Sequence, residues 1–267
     1  MRKINYKIVI AFTAITIVSC VEKVPITGRR QVSLVPEADL VSMSLTEYDK
    51  FLTEHKPLPL SDSRAQLVKK VGEKIQAAVI KFMNDKGLSQ RINGYQWAFN
   101  TVDEATINAW CMPGGKVLVY TGLLPVTQDE AGLAVVMGHE IAHAIARHGN
   151  ERMSQGMAVQ FGGVLLSAAL QNKPQETQNL FMQSYGIGST LGVLKYSRTH
   201  ESEADKMGLV FAAIAGYDPN AAVTFWERMA AQGGAKPPEI LSTHPSDETR
   251  IADIKAFIPE AMIYYKK

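Results

Sequence analysis

Thr127-Gln-Asp-Glu-Ala-Gly-Leu-Ala-Val-Val-Met-Gly-His139-Glu140-Ile-Ala-His143-Ala-Ile-Ala-Arg-His-Gly149 is the stretch that decides the fold. Thr127 and Glu130 have the spacing of a capping box and Gly149 supplies a stop, so one helix is predicted between them. At about 100° per residue, Ala134, Met137, Ile141, Ala144 and Ile145 share an apolar arc. His139 and His143 fall roughly opposite that arc, one turn apart. Two imidazoles so placed can both reach one Zn²⁺, and Glu140, beside the first, is positioned to take a proton from an attacking water. The competing reading is a coincidental polar helix face with a salt-bridging glutamate.

A catalytic zinc needs a third protein ligand and an open position. A metzincin would carry Gly at position 146 and His at 149; this chain has Ala146 and Gly149, with His148 off register. The third ligand is therefore expected from another element. Ser197-Arg-Thr-His-Glu201-Ser-Glu203-Ala-Asp205 offers it on a helix that Gly216 would end. Glu201 can bind the metal while Asp205, one turn on, accepts the ring N–H of a zinc histidine. Glu203 points away and reads as a solvated carboxylate, although side-chain chemistry alone leaves Glu201 and Glu203 hard to rank. His200 is a weaker ligand candidate, about 100° around the helix from Glu201.

Working outward, Pro36 opens a helical stretch to about His55, and Ser61 to about Asn84 reads as a second helix through Leu67, Val71, Ile75 and Val79. The β signal is confined to Tyr95–Asn100, Ile107–Met112 and Lys116–Tyr120, the last two flanking Pro113-Gly114-Gly115. From Thr127 onward the pattern is helical. The expected class is mainly α (α+β), a helical catalytic domain with one small sheet before the His-Glu-x-x-His helix. Lys116, Val117, Leu118, Val119 and Tyr120 are expected as an edge strand to which an extended substrate could add by main-chain hydrogen bonds, with an interior strand as the alternative. Met157 to Leu170 is apolar but too short to span a bilayer, and reads as a core helix or as a lid. Trp97, Trp110, Trp226 and a small buried thiol at Cys111 are assigned to the core. Arg198 and Arg250 are expected to pair with acidic neighbours.

The chain has 267 residues, net charge +2, 46% hydrophobic and 20% charged residues, and two cysteines, which excludes disordered, collagenous and disulfide-framework classes. So small a charge argues against nucleic acid as a partner. Arg2, Lys3 and Lys7 precede the uncharged run Ile8–Val18, the arrangement of a signal peptide. Ile17-Val18-Ser19-Cys20 resembles a bacterial lipobox, which implies cleavage before Cys20 and its lipidation. The expected division is a signal peptide (1–19), a lipidated tether (20–36) and a metalloendopeptidase domain (37–267). Cleavage removes three of the 28 basic residues and none of the 26 acidic ones, so the mature chain carries −1. Val21 is not the aspartate that retains some lipoproteins in the inner membrane, which favours the outer membrane of a bacterial envelope. A Cys20–Cys111 disulfide is the competing fate of the two thiols.

Together, His139-Glu-Ile-Ala-His143 and Glu201-Ser-Glu-Ala-Asp205 resemble the zinc metallopeptidases of family 48, which include the CaaX prenyl endopeptidases, HtpX and the BepA-like and Oma1-like proteases. Asn108 to Leu124, Ser197-Arg198 and Ser242-Thr-His244-Pro-Ser match further elements of that family. The resemblance implies a gluzincin endopeptidase with one Zn²⁺ on His139, His143 and Glu201, and Glu140 as general base. It ranks Glu201 above Glu203 as ligand. It also brings His244 to the cleft, as oxyanion stabiliser or resting-state ligand. Protein substrates in the periplasm, misfolded or unassembled, follow from the resemblance alone. The alternative is a zinc-bound chaperone or assembly factor.

Overall fold

Val71, Ile75 and Val79 form one stripe along the second predicted helix, and in the computed structural model that stripe is fully buried. The structure describes residues 21–162, 165–187, 196–232, 240, 241, 244 and 248–266; Cys20 and the predicted signal peptide lie outside them. A hairpin of β1 (Val21–Lys23) and β2 (Arg30–Val32) comes first, followed by α1 (Glu37–Glu54) and α2 (Ser63–Asp85). Strands β3 (Ala98–Val102), β4 (Ala109–Met112) and β5 (Lys116–Tyr120) make a second sheet. Then come α3 (Glu130–Ala146), α4 (His148–Phe161), α5 (Leu166–Asn172), α6 (Pro174–Ser184), α7 (Arg198–Ile214), α8 (Ala221–Ala231) and α9 (Glu248–Met262). The molecule is mainly α, as the periodicity predicts, with the expected small sheet of β3, β4 and β5 and a second, two-stranded one, β1–β2, that the sequence reading did not include. No helix among the described residues is long and apolar enough to cross a membrane.

α3 is the central element, buried along every position from Gly132 to Ala146. Two glycines set how closely α7 approaches it. A Cβ on Gly208 would lie 2.8 Å from His139 N, and one on Gly138 would lie 2.9 Å from Gly208 O. The backbones therefore touch where the two motifs face each other, which carries Glu201 to the histidines of α3.

Several expectations are corrected. The N-cap of α3 is Asp129, whose carboxylate accepts from Gly132 N at 2.8 Å, while Thr127 ends the preceding turn by donating to Leu124 O. Arg147, left-handed at φ 62°, ends α3, and Gly149 lies inside α4, where a Cβ would meet the Tyr185 ring at 2.0 Å. β5 is not an edge: it pairs with β3 in parallel and with β4 antiparallel, so Lys116, Val117, Leu118, Val119 and Tyr120 have their main-chain groups committed on both sides. Five consecutive buried residues in that strand mark an interior position. Met157–Leu170 is not one helix, since α4 ends at Phe161, Gly162 turns at φ 64° and α5 restarts at Leu166.

Residues 21–36 are a docked strap rather than a free tether. Val24 and Gln31 are buried, Gln31 Nε2 donates to Ala146 O at 2.7 Å, and Leu34 N donates to Ser154 Oγ at 2.9 Å. Polar side chains hold the strap, so no apolar period announces it. Trp110 and Trp226 are buried and Cys111 is a free buried thiol, whereas Trp97 is half-buried against the core.

Candidate metal centre

His139, His143, Glu201 and His244 each offer one donor atom, all within 4.8 Å of one another. His139 Nε2 is 3.0 Å from His143 Nε2 and 3.2 Å from His244 Nδ1. Glu201 Oε1 is 3.0 Å from His244 Nδ1 and 3.4 Å from His143 Nε2. A tetrahedral zinc with bonds of about 2.0–2.1 Å separates its ligand atoms by about 3.3–3.4 Å. The spacing and the three-nitrogen, one-oxygen donor set therefore fit one zinc ion. The helical register of α3 supplies two donors, the glycine contact with α7 supplies the third, and His244 brings the fourth from a separate segment.

Tautomers follow from the outer partners. His139 Nδ1 lies 2.9 Å from Asp205 Oδ1, so that ring donates to the carboxylate and keeps Nε2 for a metal. Asp205 is in turn held by Arg250 Nε and Nη2, both at 2.8 Å, while Arg250 Nη1 reaches Glu201 Oε2 at 2.7 Å. The guanidinium rests on Trp226, 3.5 Å above the ring centre. The predicted pairing of Arg250 thus exists, and Asp205 stands where the spacing placed it.

Burial and charge set the protonation states. Burial disfavours a charged His139, but the hydrogen bonds of Asp205 and Glu201 outweigh it and lift the pKa to about 9. His143 is driven well below the ordinary histidine value, chiefly by burial, which leaves it neutral with a ring lone pair to offer. Glu201 faces the same burial, yet His244 and Arg250 pull it well below the usual carboxylate range. Glu140 goes the other way: burial raises it, and its Oε1 has no hydrogen-bond partner. A buried carboxylate whose Oε1 accepts no hydrogen bond and lies 3.7 Å from His244 Nε2 is a group able to accept and return a proton. The Cys111 thiol is pushed up by burial and is chemically quiet.

Two residues at the site, Tyr196 and Arg152, carry no signal in the sequence, and two others differ from their expected places. Tyr196 covers His143 with ring centres 3.9 Å apart, and the Arg152 guanidinium lies 3.8 Å from the Tyr196 ring centre. Glu203, expected in solvent, is 3% exposed and lies 3.1 Å from His148. His200 is no ligand; its Nε2 is 3.0 Å from Glu151. A cavity of about 70 Å³ between α7 and α9 touches Glu201, Asp205 and Arg250. Neither Glu140 nor the α3 histidines line it, so it is not the cleft that a reacting carbonyl would occupy.

Comparison with known proteins agrees with this geometry. The mitochondrial metalloendopeptidase OMA1 of Schizosaccharomyces pombe is 35% identical over 91% of this chain and 68% of its own length. The human mitochondrial metalloendopeptidase OMA1 is 33% identical over 89% of this chain and 46% of its own. The Escherichia coli beta-barrel assembly-enhancing protease is 32% identical over 59% of this chain and 33% of its own. The chain thus spans about half the length, or less, of the human and bacterial relatives. The family model for Peptidase family M48 matches residues 69–258, from α2 into α9, with both motifs inside the match. Over that length the chain belongs to Peptidase family M48, a family of zinc-dependent metallopeptidases.

Proposed function

We propose that this chain is a zinc-dependent endopeptidase of a bacterial cell envelope, anchored by lipid on Cys20 and acting on misfolded or unassembled envelope proteins. His139, His143 and Glu201 would hold the zinc, with Asp205 orienting His139. The observation that carries the reading is Glu140, a buried carboxylate whose Oε1 accepts no hydrogen bond, beside the donor set. Bound zinc supplies Lewis-acid polarisation of water and of the scissile carbonyl. Glu140 takes the proton of the attacking water at Oε1 and delivers it to the leaving amine, and its raised pKa matches both halves of that task. His244 stands in the fourth donor position, which supports the role of resting-state ligand. The substrate class rests on the family resemblance, beside an E. coli relative named a beta-barrel assembly-enhancing protease, and the compartment rests on the lipobox-like Ile17–Cys20.

The test is zinc analysis and casein degradation by the full chain in detergent, beside Glu140→Gln. We expect stoichiometric zinc in both and at least about 100-fold less degradation by the variant. Folded wild-type protein without stoichiometric zinc would sink the reading. The mass of the mature N-terminus checks lipidation of Cys20.

A second reading is a zinc-bound assembly factor, favoured by a centre whose four donors are all buried. It requires Glu140→Gln to complement a deletion strain fully. Loss of complementation with zinc and fold retained removes it.

A further inference from the structure

Behind the metal-facing edge of His143 runs a buried polar chain that peptide hydrolysis itself leaves unused. His143 Nδ1 is 2.9 Å from His148 Nδ1, and His148 Nε2 is 3.1 Å from Glu203 Oε2. Glu203 accepts from Arg29 Nε at 2.9 and 3.0 Å and from Thr27 Oγ1 at 2.7 Å. Arg29 also donates to Glu151 through Nη1 at 3.0 Å and Nη2 at 2.8 Å. Glu151 accepts in turn from His200 Nε2 at 3.0 Å, and the His200 ring stacks on His148 with centres 4.5 Å apart.

One proton order satisfies every pair. His143 Nε2 faces the donor cluster and keeps its lone pair there, so Nδ1 carries the hydrogen and donates to His148 Nδ1. His148 then holds its hydrogen on Nε2 and donates it to Glu203. Arg29 is the cation that fixes the direction, since it sits between two buried carboxylates, Glu203 and Glu151. The same hairpin grips the end of the ligand helix, where Gln31 caps Ala146 O. Thus a residue from the loop of the first hairpin reaches, through two side chains, the far nitrogen of a proposed metal ligand.

We propose that the β1–β2 hairpin is a positioning element for the metal centre, with Arg29 acting through Glu203 and His148 to fix the tautomer and ring angle of His143. This rests on the ligand set proposed above. Partners that orient a ligand imidazole typically carry about 10–100-fold in metal affinity. Arg29 is a positioning residue, because it touches neither substrate nor metal.

The experiment measures the zinc dissociation constant by chelator competition, and the visible spectrum of the cobalt-substituted protein, for the full chain. Arg29→Met and Glu203→Gln are compared with Arg30→Met, an exposed change on the same hairpin. We expect Arg29→Met and Glu203→Gln to weaken zinc binding at least about 10-fold and to shift the cobalt bands. Arg30→Met should change neither, and the double variant should be little worse than either single one. Zinc affinity within about twofold of wild type, with unshifted bands, would overturn the proposal even if melting temperatures fell, because the hairpin would then be a fold staple only. If Arg29→Met does not fold, the near-isosteric Glu203→Gln decides alone. A folded wild-type chain that binds no zinc would instead fail the ligand set itself.

Discussion

His244 Nδ1 lies against both His139 Nε2 and Glu201 Oε1, so it completes the set of four donors where catalysis needs a vacancy. Removing it should open that position. His244→Ala is expected to bind zinc more weakly yet degrade casein faster than wild type, as a timed gel assay would show. A variant that keeps zinc but loses turnover would move His244 to the oxyanion role instead. At this scale, the residues legible in the sequence were those related by one helical turn: His139 with His143, and Glu201 with Asp205. Helix geometry alone fixes such separations. Glu203 was misread because its partners, His148 and Arg29, stand 55 and 174 residues away and no local period connects them. Tyr196 carried no signal either: a single aromatic before a helix cap has no spacing to read.

Among elements, the contact of α3 with α7 controls the site, and its glycines bear on it directly. Gly208→Ala puts a Cβ 2.8 Å from His139 N, with backbone on both sides and no flexible side chain to yield. The helices must separate, at a destabilisation of about 1–3 kcal/mol. Zinc affinity should fall with it, because Glu201 moves with α7; thermal melting and metal titration measure the two effects. The hairpin clasp on α4 makes a different prediction. Burial would raise Glu151, but His200 and Arg29 hold it down at about 2. A carboxylate depressed in the fold contributes stability above its unfolded pKa, near 4.5, and loses that contribution as pH falls toward 2. Glu151→Gln should therefore flatten part of the acid limb of a stability-against-pH profile between those values, while remaining less stable than wild type near neutrality. The clasp was illegible because strands of three residues held by charged side chains show no apolar alternation. The central place of β5 was obscured for another reason: pairing on both sides depends on β3, which returns parallel to it from earlier in the chain.

For the whole molecule, zinc is the cross-link that the chemistry offers among the described residues, since Cys111 is buried and pairs with no described cysteine. Its proposed ligands come from α3 and α7, and His244 joins from the segment before α9, so binding ties together elements from the centre and the end of the chain. Metal bound only by the folded state stabilises it by RT ln(1 + [Zn]/Kd), about 4 kcal/mol at a thousandfold excess. For a domain of this size, each kcal/mol moves the melting temperature by about 2–4 °C. Removing zinc with a chelator should then lower the melting temperature by about 8–16 °C. Re-addition of zinc should restore it. The metal-free centre also gathers charge that zinc would otherwise organise, with Glu201 held ionised beside a His139 whose pKa is lifted to about 9. Protonated His139 competes with the metal, so the stabilising shift should shrink as pH falls, because ligand imidazoles must release protons to bind. A His139→Ala chain should show no chelator-dependent shift at any pH. If wild type melted at the same temperature with and without chelator, zinc would not join these helices, and the fold would be held by the α3–α7 packing alone.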